Sequence, residues 1–95
     1  MFIVSLTYIK PLEQIDAFIP QHVAFLDKYY DLGVFQLSGR KEPRTGGVII
    51  ASATSKAALE DILLEDPFQR EGLATYEIIE VTPTKSAEPL AYLLS

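Results

Sequence analysis

Over residues 2–9 the side chains alternate, with Phe2, Val4, Leu6 and Tyr8 on one side of an extended chain and Ile3, Ser5, Thr7 and Ile9 on the other. A period of two predicts a β-strand. Its second face is only partly polar, so both sides of the sheet are expected to be covered. Lys10 and Pro11 break the strand, and the spacing then changes. Phe18, His22, Phe25, Leu26, Tyr29 and Leu32 recur at intervals of three and four, the spacing of a helix with one apolar face. Pro20 lacks an amide donor and suits a first turn, so the regular helix is expected to start near it, after a short turn or loop. Gly33 ends the helix.

A second strand is expected over residues 34–38, a polar connection over 39–47, and a short apolar strand over 47–53. Thr54 or Ser55 then caps a helix with Leu59, Ile62 and Leu63 on its buried side. Residues 73–81 alternate again, with Leu73, Thr75, Glu77, Ile79 and Val81 opposite Ala74, Tyr76, Ile78 and Glu80. The order β-α-β-β-α-β is the split βαβ of a ferredoxin-like α+β domain. Helices cover one face of such a sheet. The other face would show Ile3, Ser5 and Thr7 to water unless a second copy covers it, so a homodimer packed sheet against sheet is expected. Residues 83–95 read as a tail by composition. Leu90, Tyr92, Leu93 and Leu94 are too apolar for a free end, and the tail is expected to dock on the domain or on a partner subunit.

The chain has 95 residues, 48% of them hydrophobic and 11% aromatic, which describes one domain with a thin core. Its net charge of −5 leaves no basic stripe to neutralise a phosphate backbone and would be repelled by an anionic membrane surface. No apolar run has the length of a membrane span, and the start lacks a signal-peptide pattern, so a cytoplasmic protein that binds neither nucleic acid nor membrane is expected. With no cysteine, thiolate metal sites and thiol nucleophiles are excluded. Chemistry must come from imidazole, carboxylate, hydroxyl, phenol or guanidinium groups.

His22 is the only histidine, and it lies one turn after Phe18 and one turn before Phe25 and Leu26. Such a residue is commonly a half-buried histidine bonded to a carbonyl. Asp66 precedes Pro67 and stands three residues before Gln69, the pattern of a helix N-cap with proline in the first turn and a capping box behind it; Gly72 would close that turn. A capping carboxylate keeps a second oxygen, so the structural role is compatible with a meeting between Asp66 and His22. Three of the eight basic residues fall in residues 39–47, beside glycines whose amides can approach an anion. A solvated hairpin loop is the plainer explanation of that stretch. A metal site would have to be gathered from carboxylates around a single imidazole, and none is expected.

The run His22-Val23-Ala24-Phe25-Leu26, then Gly33, Leu37-Ser38-Gly39, Gly46-Gly47 opening an apolar strand, and Asp66-Pro67-Phe68 with Gly72-Leu73 resembles the YCII-related (YciI-like) family over nearly the whole chain. The resemblance implies a ferredoxin-like fold that pairs through its sheets into a dimeric α+β barrel, as in muconolactone isomerase-like proteins. It also implies an active site on a histidine and aspartate pair, which falls here on His22 and Asp66. The family's better understood activity is a dehydrochlorinase acting on chlorinated hydroxyquinol. Two positions depart from the family pattern: Ile19-Pro20-Gln21 stands where an arginine often precedes the histidine, and Arg40 where a proline often follows Ser-Gly.

Taken together, these features lead to an expected lyase or isomerase without cofactor or metal. It would move a proton on a small oxygenated or aromatic molecule, with an anionic group as one option. His22 would serve as base or acid, Asp66 would orient it, and Ser38, Arg40 and Arg44 would contact the substrate. The alternative is a non-catalytic ligand-binding or accessory module on the same barrel, with the dyad a structural hydrogen bond. An open cavity beside His22 favours the enzyme, and a filled contact favours the module.

Overall fold

Residues 1–94 are described by a computed structural model. Along the chain the elements are β1 (Phe2–Tyr8), α1 (Leu12–Ala17), α2 (Ile19–Asp31), β2 (Phe35–Arg40), β3 (Gly46–Ala51), α3 (Lys56–Leu63), α4 (Pro67–Arg70) and β4 (Ala74–Glu80), followed by a 3₁₀ segment at Glu88–Leu94. The four strands pair antiparallel in the order β2-β3-β1-β4. This is the ferredoxin-like α+β arrangement that the element order predicts.

The alternation in β1 decides which face is buried. Phe2, Val4 and Leu6 are all within 2% of complete burial. The register sets Leu6 between Gly47 and Tyr76, and Val4 between Ile49 and Ile78, so these side chains share one face. Against it pack Ile15 of α1, Phe25 and Tyr29 of α2, Leu59 and Leu63 of α3, and Phe68 of α4. Burying each such side chain favours folding by about 1.5–3 kcal/mol. The opposite face carries Ile3, Val48 and Ile50, half-buried, and Leu37 and Ile79, exposed.

Several expected boundaries move. Residues 12–17, expected as a turn or loop, form α1, which is anchored to the core by the wholly buried Ile15 while Leu12 stays exposed. Pro20 sits in the first turn of α2, as its missing amide donor requires. Leu32 lies past the last turn and is exposed rather than part of the buried stripe. β2 runs two residues beyond Ser38, so Gly39 and Arg40 belong to a strand and the connection shrinks to residues 41–45. β3 starts at Gly46, where a Cβ would stand 1.8 Å from the Leu6 carbonyl oxygen; only glycine lets the strands approach there.

An irregularity between Phe35 and Leu37 also shifts the phase of β2. Beyond it, Ser38 pairs with Ile49 and Arg40 with Gly47, on the helix-covered face, while Leu37 turns out to solvent. The tail leaves Leu90, Tyr92 and Leu94 exposed on this chain.

Candidate active site

The site grows from the exit of α3. Asp66 has extended backbone angles and caps α4, its Oδ1 accepting the Phe68 amide at 3.1 Å, with Pro67 at the first helical position. The reciprocal half of the expected capping box is not made, because the Asp66 amide donates to the Leu63 carbonyl. Gly72, at φ 66°, turns the chain back into β4, as expected from its place in the sequence.

Asp66 is completely buried. A buried carboxylate is costly unless its oxygens are hydrogen-bonded. Three donors meet that need. His22 Nδ1 lies 2.8 Å from Oδ1, the Phe68 amide shares the same oxygen, and the Tyr76 hydroxyl donates to Oδ2 at 2.5 Å. Burial, and after it the Asp66 charge, pushes the Tyr76 phenol well above its ordinary range, which keeps it a proton donor.

The imidazole of His22 is held on a second side by Phe68, whose ring stacks on it at 4.1 Å between centroids and 10° between planes. Phe68 is in turn wedged by the edge contact of Tyr8 at 5.8 Å. With Nδ1 engaged by Asp66, Nε2 is the nitrogen left for a ligand. His22 borders a cavity of about 370 Å³ between α2 and the sheet. Leu6, Ile19, Leu26, Ile49 and Phe68 form its apolar walls.

Polar groups cluster on the side of β2 and the following loop. Arg44 donates to Asp16 of α1 at 2.5 Å and is one-third exposed; this bond raises its pKa further above the usual guanidinium value. Arg40 also borders the cavity, but its side chain is largely exposed and paired with Glu42 at 3.0 Å. The Ser38 hydroxyl lies on the wall 2.6 Å from the Tyr30 hydroxyl. Among the described residues, no group of three or more His, Asp or Glu side chains is gathered to hold a metal ion.

Of the five residues expected from the sequence, His22, Ser38, Arg40 and Arg44 border one cavity, and Asp66 sits buried behind His22, bonded to it. Three partners were missed: Tyr76, Asp16 and Phe68. The alternation of β4 already placed Tyr76 on the face of Ala74 and Ile78, which is the buried face. Nothing local signalled that its hydroxyl would reach Asp66. Asp16 had no signal, since residues 12–17 were not read as a helix.

The YCII-related domain matches residues 1–82. The chain belongs to the YCII-related family. This YCII-related chain is also similar in structure to 5-chloro-2-hydroxyhydroquinone dehydrochlorinase from Burkholderia phenoliruptrix AC1100, solved in complex with 2,5-dihydroxybenzoquinone. The TM-score is 0.72 at 19% sequence identity, over 85% of this chain and 93% of that one. At that identity the likeness is one of fold. No curated protein matches the sequence. No described helix of this YCII-related chain is long and apolar enough to cross a membrane.

Proposed function

We propose that this YCII-related protein is a small enzyme, independent of cofactors, that transfers a proton at an oxygenated or aromatic substrate in an elimination or isomerisation. The observation that carries this reading is the His22–Asp66 contact of 2.8 Å beside a cavity that a small ring can enter. His22 Nε2 takes a proton from a carbon next to the substrate's oxygen-bearing carbon. Asp66, bonded to Nδ1, orients the ring and stabilises the imidazolium that forms. Arg44 faces the negative charge that develops on the substrate oxygen, in competition with Asp16. For isomerisation the imidazolium returns the proton to another carbon. For elimination, a leaving group departs from the neighbouring carbon with the bonding pair as the new double bond forms. Ser38 and Arg40 contact the polar rim of the substrate.

The dehydrochlorinase of like fold supports a choice of hydroxylated quinoid and chlorinated phenolic probes. Incubation in D2O should give deuterium incorporation, or chloride release from the chlorinated probes, and His22→Gln should slow the rate by about 10²–10⁴-fold. Probes that bind without reacting, or a rate indifferent to His22→Gln, would leave the ligand-binding module as the better description.

We further propose that the protein acts as a homodimer. The exposed Leu37 and Ile79 on the sheet face away from the helices support this, and the exposed tail residues Leu90 and Leu94 would dock on the partner subunit.

A further inference from the structure

The dyad ends, in the direction away from the cavity, on a group that the reaction itself does not use. Asp66 Oδ1 is doubly occupied, by His22 Nδ1 and by the Phe68 amide, whereas Oδ2 has the Tyr76 hydroxyl alone. A carboxylate with one oxygen pinned by a backbone amide can still rotate about its Cβ–Cγ bond. Each rotation trades which oxygen, and at what angle, faces the imidazole. The hydroxyl at 2.5 Å closes that freedom, because it fixes the second oxygen from β4, an element independent of both helices.

Resting on the functional reading above, we propose that Tyr76 is a positioning residue that holds the Asp66 carboxylate in the one orientation that keeps the His22 proton on Nδ1 and leaves Nε2 as the free base. The register supports it: Tyr76 lies directly opposite Leu6, a wall of the cavity, so a rigid sheet sets where the hydroxyl stands relative to the site. Tyr76 touches neither His22 nor the ligand in this role; it acts through Asp66.

The tautomer is directly measurable, because one histidine means one imidazole signal set. In protein labelled with 15N-histidine, in alkaline buffer, the two ring nitrogens of the wild type should give the well-separated shifts of a neutral ring protonated on Nδ1. Tyr76→Phe keeps the ring that packs in the core and removes only the hydroxyl. It should draw the two nitrogen shifts toward each other as the tautomers mix, with backbone amide spectra otherwise native. Asp66→Asn should shift the same signals and serves as the control for the dyad. If Tyr76→Phe leaves the ring shifts at their wild-type values while Asp66→Asn moves them, the dyad stands and Tyr76 has no positioning role. If neither variant moves them, the functional reading itself falls. Should Tyr76→Phe fail to fold, Tyr76→Leu, which also removes the hydroxyl, and the two-bond couplings between the ring carbon protons and the ring nitrogens of the wild type, which report the tautomer, carry the test. A wild-type ring already averaged between tautomers would overturn the proposal.

Discussion

Asp66 is the residue on which most of the local structure depends. One carboxylate caps α4, receives the Tyr76 hydroxyl and orients His22, all at zero exposure. Asp66→Ala removes the cap and leaves two donors without their acceptor, so it should lower stability by about 2–4 kcal/mol. Urea denaturation would show this as a fall in the midpoint with little change in slope. A loss below about 1 kcal/mol would mean that the network adds little to folding. The cap was readable from the chain, because Asp-Pro followed by a turn-closing glycine is a pattern of neighbours. The partner set was not: Tyr76 lies 10 positions along and His22 lies 44 away.

Between elements, the join that places the dyad is the contact of α2 with the turn after α3. Glu65, next to Asp66, accepts from Lys28 at 2.7 Å and from the Tyr29 hydroxyl. These bonds, that to Lys28 first, hold its carboxyl below the usual glutamate range. A depressed carboxylate pKa contributes stability that is present above the unfolded value and is lost as pH falls through the folded one. The protein should therefore lose part of its stability on acidification below the ordinary glutamate range, and Glu65→Gln should flatten that part of the stability curve. Lys28 and Glu65 are both about half exposed, so the effect should be small and weaken in salt. Thermal melts across acidic pH, wild type against Glu65→Gln, would check it. Parallel curves would show that the pair does not tie α2 to the turn.

For the molecule as a whole, the fold leaves a sheet face with Ile3, Val48 and Ile50 half-buried and Leu37 and Ile79 exposed. If a second copy covers it, light scattering at micromolar concentration should give twice the 10.6 kDa chain mass. Ile50→Asp should halve that mass, since an unpaired charge in a buried interface is costly. A wild-type mass of one chain would remove the proposed assembly, and an unchanged dimer in Ile50→Asp would move the interface elsewhere. The same variant should leave the helix-covered core intact, because Ile50 points away from it.

The chain by itself determined what depends on neighbours. Alternation in residues 2–9 put Leu6 on one face with Phe2 and Val4, and alternation in residues 73–81 put Tyr76 on one face with Ala74 and Ile78. Spacing by three and four put His22 on the inward side of α2, and Asp66-Pro67 marked a cap. Each of these is a periodicity or a dihedral preference confined to a few residues, and such signals survive without the rest of the fold. Tertiary structure alone decided which residues meet. The irregularity in β2 brought Ser38 and Arg40 to the cavity side and sent Leu37 outward, a choice made by pairing with β3. Arg44 folded back on Asp16, 28 positions earlier, while Arg40 turned to Glu42, so two arginines of one segment took different roles. Such meetings are set by strand register and by how helices lie on the sheet, which are properties of the packed molecule with no counterpart in any short stretch of chain.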